Sequence, residues 1–175
     1  MTAVWQRAAA LSGLFFLAAC AGSVSTPVSV QEMAPATKQS IHVLDVTAEA
    51  QPGVVMQPYE LERIVSFVKA DLTVADTHGA AQPAAAAADP PAKVKLVFTQ
   101  YDKGSAFERF MLAGLGQIKI DADVIFLDAN TGQQLGKYQV SKDFAFGGVY
   151  GGSTTIEDVE QGFAKSVAAI VKPST

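Results

Sequence analysis

The sequence predicts an α+β fold, a two-layer sandwich in which two helices cover one face of a small, mostly antiparallel sheet of about four strands. Three observations lead to this prediction. Several segments alternate apolar and polar residues, which is the period of a half-buried strand. Two other segments place apolar residues at spacings of three and four, which is the period of an amphipathic helix. The order of these segments along the chain is β-α-β-β-β-α.

The first strand and the first helix lie in the N-terminal half. Residues 41–47 are rich in β-branched side chains, which favour strands. Pro58 suits the first turn of a helix, because the N–H that proline lacks is not needed there. The apolar residues that follow share one helical face: Leu61, Ile64, Val65, Val68 and Leu72. We therefore expect a helix that begins near Pro58 and packs on the sheet.

Three further strands are expected between residues 93 and 146. Residues 93–101 and 118–126 alternate strictly, with apolar residues on one face. The segment 128–132 ends in a glycine that can take a positive φ, so it predicts a tight turn. Residues 134–146 should therefore return antiparallel to the preceding strand.

The last helix should start at a capping pair, either Thr154 with Glu157 or Thr155 with Asp158. Its buried stripe consists of Ile156, Val159, Phe163, Val167 and Ile170. Residues 40–175 thus form a single domain, interrupted by the Ala/Pro-rich residues 76–92. A run this long without periodicity is unusual inside a compact domain, and we expect an exposed insertion.

The N-terminus has the three zones of an export signal. Arg7 is followed by twelve uncharged residues, 8–19, which are too few to span a bilayer, since a spanning helix needs about 20. The string Leu17-Ala-Ala-Cys20 resembles the lipobox of bacterial lipoproteins. An ordinary signal peptide with an incidental Cys20 is the alternative.

The lipobox resemblance implies that residues 1–19 are removed and that Cys20 is linked to a diacylglycerol and acylated. Two or more acyl chains are needed for stable anchoring. Residues 20–39 are rich in Ser, Thr, Pro and Ala and read as a flexible tether. No Asp follows Cys20, and by resemblance to the enterobacterial sorting rule this favours the outer membrane, with the domain facing the periplasm.

Composition excludes several functions. The net charge is −4, and the chain has no stripe of Lys and Arg, so we expect no nucleic-acid partner. Cys20 is the single cysteine, so no disulfide framework can form. The membrane contact should depend on covalent lipid, because no polybasic patch is present.

Few residues suggest catalysis or metal binding. His42 and His78 are the only histidines, and neither has ligand spacing. Asp121 and Asp123 share one face of a strand and could approach a cation, although a solvated face has the same pattern. Together with Asp143 they are the plausible members of an enzyme site. We expect no enzyme, no metal and no cofactor.

Two apolar, glycine-containing clusters are candidate binding regions. Phe144, Phe146 and Tyr150 lie around the glycine-rich residues 146–153, which could hold an anion at a helix start or simply connect a strand to a helix. Phe110 belongs to the second cluster, whose apolar members are Phe107, Phe110, Met111, Leu112 and Leu115. These side chains either pack under the sheet edge or form a docking surface. Gly114 and Gly116 should allow a tight entry into the next strand.

The run Arg109-Phe110 through Ala113-Gly-Leu-Gly116, the Asp128…Thr131-Gly132 turn and the final helix with Phe163-Ala164 resemble one uncharacterised family. That family consists of small bacterial lipoproteins described only as a domain of unknown function, and the resemblance covers residues 95–172. It implies no catalytic residue. Similar small periplasmic lipoproteins assist secretion and surface assembly, which favours an interaction role.

The leading functional hypothesis is a non-enzymatic envelope lipoprotein that presents an interaction surface to a protein partner. A small-ligand or lipid-binding module is the alternative, with Phe144, Phe146 and Tyr150 at the mouth of a pocket.

Overall fold

The computed structural model describes residues 27–78, 91–112, 115–145 and 148–171. The strands are β1 (Val28–Gln31), β2 (His42–Ala50), β3 (Pro91–Asp102), β4 (Ile118–Asp128) and β5 (Gln134–Phe144). The helices are α1 (Pro35–Ser40), α2 (Pro58–His78), α3 (Ala106–Met111), α4 (Gly148–Ser153) and α5 (Ile156–Ala168).

The strands form one sheet in the order β1-β5-β4-β3-β2. Strands β2 and β3 are parallel, because α2 lies between them in the chain and carries it back to the same end of the sheet. The other three neighbouring pairs are antiparallel. The α+β class is confirmed, but the described sheet has five strands rather than about four. Three short helices, α1, α3 and α4, accompany the two predicted ones.

The long helices α2 and α5 pack against each other and against the sheet, so the core lies between these two layers. Strand β4 buries every second residue, as its alternation predicts: Ile118, Ile120, Ala122, Val124 and Phe126. Ile64, Val68 and Leu72 of α2 and Val159, Phe163 and Val167 of α5 cover that face. The rings of Phe98 and Phe163 join the layers, with their centroids 5.7 Å apart.

The predicted turn and the predicted cap are both present. A carboxylate oxygen of Asp128 accepts hydrogen bonds from the N–H groups of Asn130 (2.9 Å) and Thr131 (2.8 Å), and Gly132 has a φ of 73°. These backbone hydrogen bonds hold the pKa of Asp128 below its usual value. Thr155 and Asp158 form a reciprocal capping box at the start of α5, which decides between the two capping pairs that the sequence allowed.

The prediction of a flexible tether over residues 20–39 is wrong for its second half. Residues from Val28 onward form β1 and α1, and Met33 between them is 1% exposed. The backbone N–H of Met33 donates to the hydroxyl of Tyr138, at 2.9 Å. A Cβ on Gly136 would lie 3.1 Å from the Cβ of Met33, so the glycine in β5 leaves room for that side chain. This segment is ordered by residues about a hundred positions away, which local composition does not indicate.

Both ends of the predicted insertion, residues 76–92, belong to regular elements, because α2 extends to His78 and β3 begins at Pro91. Residues 79–90 lie outside the described residues, and so do the signal segment and Cys20. Within the described ranges, no helix is both long enough and apolar enough to cross a membrane.

Candidate binding surface

Five large apolar side chains around helix α3 are exposed, and we call them the α3 surface: Phe107, Phe110, Met111, Leu112 and Leu115. Phe107 is 71% exposed and the others are between 50% and 58% exposed. Val149 of α4, the helix that packs beside α3, is also exposed. Between the two sequence alternatives for this cluster, the exposure favours a docking surface over packing under the sheet edge.

Arg109 holds the α3 surface in place. Its side chain is 3% exposed, although its neighbours in sequence are exposed. The guanidinium donates to three backbone carbonyls: Nη1 to Gly116 at 2.6 Å, Nε to Gly151 at 2.9 Å and Nη2 to Thr154 at 3.0 Å. The planar guanidinium has donors pointing in several directions, so one side chain can fix three separate stretches of backbone. Arg109 therefore ties α3 to the entry into β4, to Gly151 within α4 and to Thr154 just after that helix.

Two glycines close the base of this arrangement. Gly104 and Gly116 both have positive φ, 60° and 66°, which favours glycine. A Cβ on Gly104 would lie 2.2 Å from the carbonyl oxygen of Gly116, and a Cβ on Gly116 would lie 2.4 Å from that of Ser105. Ser105 caps α3 by accepting from the N–H of Glu108, at 3.3 Å. Gly116 thus gives the tight entry into β4 that the sequence predicts, whereas Gly114 lies outside the described residues.

Of the other three predicted binding residues, only Phe144 has a described side chain. Phe144 is 7% exposed and belongs to the hydrophobic core, so it cannot supply the mouth of a pocket. Phe146 lies outside the described residues, and Tyr150 is described only as part of the backbone of α4. Phe110 packs beside α4, since a Cβ added to Gly152 would lie 3.2 Å from the Cβ of Phe110.

The acidic candidates are paired with lysines on the sheet face that the long helices leave uncovered. The Lys119 ammonium lies 3.2 Å from Asp121, and that of Lys137 lies 2.9 Å from Asp123. One carboxylate oxygen of Asp121 has no hydrogen-bond partner among the described residues. Asp143 is exposed on β5. The side chains of Asp121 and Asp123 are only 22% and 14% exposed, so this charged face is less solvated than the sequence pattern suggests.

Of the two histidines, only His42 has a described side chain. His42 is exposed in β2, and the side chain of His78 lies outside the described residues. Within the residues that the structure describes, no group of three His, Cys, Asp or Glu side chains is arranged to hold a metal.

A buried ionic cluster, which the sequence did not indicate, joins α2, α5 and the end of β3. Glu160 is fully buried and accepts two hydrogen bonds from the guanidinium of Arg63, at 2.6 and 2.8 Å, and one from the Tyr101 hydroxyl at 2.6 Å. The bond to Glu160 raises the pKa of Arg63. Burial, followed by the same carboxylate, raises the pKa of Tyr101. The cluster connects elements that are far apart in sequence, so no local spacing signals it.

Glu60 belongs to the same cluster and is 2% exposed. It lies 2.5 Å from the ammonium of Lys103 and accepts from the backbone N–H of Gln57 at 2.7 Å. Burial raises the pKa of Glu60, but these two partners outweigh burial, and the pKa lies below its usual value. Both buried glutamates are therefore occupied by structural partners.

A cavity of about 140 Å³ lies between β2 and α2. Its lining consists of Val43, Leu44, Asp45, Val46, Lys69, Leu72 and Thr73. Ligand sites usually enclose roughly 300–1,000 Å³, so this cavity is small for an organic ligand. It lies at the β2 edge of the sheet, away from β5 and Phe144.

Comparison with protein families gives one match, to the model of DUF4410, a domain of unknown function, over residues 32–148. That match covers more than half of the chain. It starts earlier than residues 95–172, on which the sequence resemblance depends, and it ends before α5. Curated proteins give no match.

Solved structures share the fold. The PelC dodecamer from Paraburkholderia phytofirmans has a TM-score of 0.55 and 10% identity, covering 86% of this chain and 99% of that one. A single-residue variant of the same protein, also a dodecamer, has a TM-score of 0.52 and 11% identity, with the same coverage. A candidate lipoprotein from Caulobacter crescentus CB15 is 18% identical, with a TM-score of 0.39, and covers 77% of this chain and 86% of that one. At these identities the PelC likeness establishes the fold alone.

Proposed function

We propose that this chain, which belongs to the DUF4410 family, a domain of unknown function, is a non-enzymatic lipoprotein of the cell envelope that presents an interaction domain at a membrane. Lipid on Cys20 anchors it to the outer membrane, and the domain faces the periplasm. The observation that carries this proposal is the α3 surface, a group of large apolar side chains exposed on a rigid base. The partners are the membrane, through covalent lipid, and a protein of the envelope.

Exposed apolar side chains cost free energy in water unless something covers them. Burying a large apolar side chain completely contributes about 1.5–3 kcal/mol, so covering each half-exposed member of the α3 surface contributes roughly 1 kcal/mol. Contiguous apolar patches on soluble domains commonly mark interaction sites. The three hydrogen bonds of buried Arg109 keep this patch from collapsing onto the core. Covering the α3 surface therefore contributes favourable free energy to binding.

The anchor is tested by intact-mass analysis of the mature protein, beside a Cys20→Ala variant made in the same cells. We expect a mature chain that begins at Cys20 and carries the added mass of a diacylglycerol and a fatty acid. The variant should carry no added lipid mass. An unmodified Cys20 in the mature protein would contradict the anchor.

The protein partner is tested by photo-crosslinking in intact cells. A photoreactive residue is placed at Phe110 on the α3 surface, at Gln139 on the uncovered sheet face or at Leu44, which is 58% exposed on the edge strand β2. The matched control is Asn130, in the turn between β4 and β5. We expect a discrete protein adduct from at least one of the three positions and none from the control. Adducts at none of the three would contradict an interaction role.

A second copy of the chain is one candidate for that protein. The structures of similar fold are PelC dodecamers, and this chain has an exposed edge strand, β2, at one end of its sheet order. Light scattering coupled to size-exclusion chromatography measures the mass of the assembly. A monomeric mass over the whole concentration range would remove self-association from the proposal, while leaving a different protein as the partner.

A further inference from the structure

The direction in which the chain enters the sheet relates the α3 surface to the anchor. Strand β1 is antiparallel to β5, with Val28 opposite Gln139 and Gln31 opposite Lys137. The residues before Val28 therefore approach from the side of Phe144, the C-terminal end of β5. Phe144 is paired with Ile118, the first residue of β4, so this is the end of the sheet where α3 joins β4. Strand β1 therefore begins on the side of the sheet that carries the α3 surface and runs away from it.

The length of that chain limits how far the domain can stand from the bilayer. Cys20 and Val28 are eight residues apart, and a fully extended chain spans at most about 3.5 Å per residue, or about 28 Å in all. The eleven residues of β4 span about 37 Å at roughly 3.4 Å each. The connection is shorter than β4, and it keeps the start of β1 within about 28 Å of the anchored cysteine.

The two ends of the sheet differ in chemistry, and only one suits a bilayer. At the far end the β4–β5 turn presents polar groups, with Asp128 accepting from Asn130 and Thr131. At the near end the α3 surface presents two phenylalanines, a methionine and two leucines, beside the exposed side chain of Glu108 and that of Lys103, which is paired with Glu60. The one arginine among them, Arg109, is buried and bound to carbonyls, so it is not available to lipid phosphates.

We propose that the α3 surface inserts into the headgroup–acyl boundary of the same bilayer that holds the lipid on Cys20. This inference rests on the anchor in the proposed function. The covalent lipid keeps the surface at a high local concentration near the bilayer, so even a weak apolar contact is occupied. Shallow insertion of a face rich in Phe and Leu, without basic residues, should depend little on anionic lipid. The strands then run roughly perpendicular to the membrane surface, and the polar β4–β5 turn points away from the membrane.

The test uses the acylated protein reconstituted in vesicles. Trp5 is the single tryptophan and is removed with the signal segment, so one introduced tryptophan reports its own position. Phe107→Trp and Phe110→Trp place the probe on the α3 surface, and Asn130→Trp places it at the far end. The vesicles consist of phosphatidylcholine and phosphatidylethanolamine with brominated acyl chains, with or without phosphatidylglycerol. Because Phe107 is 71% exposed, its replacement should not disturb folding even if the Phe110 variant folds poorly.

We expect bromine to quench the fluorescence of tryptophan at 107 and 110 at least two-fold, with a blue shift, and to leave tryptophan at 130 unchanged. Phosphatidylglycerol should make no difference. Mass analysis of the same samples separates the two proposals. A sample without acylation contradicts the anchor, whereas an acylated sample without quenching at 107 and 110 overturns the bilayer contact alone. A protein adduct from Phe110 in cells together with absent quenching would assign this surface to a protein instead.

Discussion

Two arginines in this domain are held in opposite ways. Arg63 of α2 binds carboxylates, with Glu160 at 2.6 Å and Glu157 at 3.2 Å. Arg109 of α3 binds only backbone carbonyls in its three hydrogen bonds. The first arrangement neutralises charge between two long helices of the core. The second fixes the course of irregular backbone under an exposed surface. The difference separates a contact that stabilises the whole fold from one that shapes a binding surface.

The largest expected effect comes from Glu160→Gln, which leaves Arg63 facing a neutral partner in a buried position. Removing one member of a buried ion pair costs about 3 kcal/mol. We expect that loss in the free energy of unfolding, measured by urea denaturation. Glu157→Gln is the matched control, because its side chain is 43% exposed and its pair is worth about 0.5 kcal/mol. Equal losses for both variants would show that burial does not decide the strength of these pairs.

Arg109→Met should lower the free energy of unfolding less than Glu160→Gln does, but it should loosen the backbone around α3 more. It removes three hydrogen bonds and leaves carbonyls unsatisfied, for a total of about 2 kcal/mol. We expect amide exchange to accelerate in residues 105–112 and 115–117 while α2 and α5 keep their protection. Arg109→Lys should not restore protection, since an ammonium cannot reproduce the planar set of donors. Unchanged exchange around α3 would refute the role assigned to Arg109.

Acid should weaken the ionic cluster through Glu60. The pKa of Glu60 in the folded protein lies below its ordinary value of 4.5, so its stabilising contribution is present above that pH and is lost as the pH falls through the folded pKa. We expect Glu60→Gln to lower the stability near neutral pH and to flatten its decline in acid. If Glu60→Gln lost stability in acid as steeply as the wild type, Glu60 would be excluded as the source of that loss.

The smallest effect is expected for Phe107→Ser, because this side chain is 71% exposed. Surface substitutions away from special features change stability by less than about 0.5 kcal/mol. The same variant should still reduce membrane or partner binding. If it instead destabilised the fold as strongly as Arg109→Met, Phe107 would belong to the structural support and not to the binding surface.

Local sequence was sufficient for the regular elements because their signals are periodic. The alternation in β4 and the apolar stripe of α5 identify both the element and its buried face. The turn at Asp128 and the capping box at Thr155 depend on residues within four positions of each other. Of the two glycines at the base of α3, the sequence indicated only Gly116. Gly104 has no local signal, because glycine is needed there by the close approach of the backbone at Gly116.

By itself the sequence determined the α+β class, the buried faces of the long elements and the candidate anchor at Cys20. The tertiary structure decided that Met33 belongs to the core, that Phe144 is buried and that Phe110 is half exposed. It also decided that Arg109 and Glu160 are buried with their partners. The physical reason is distance along the chain. Periodicity, turns and caps are set by neighbouring residues, whereas the burial of one side chain depends on which remote segments pack against it.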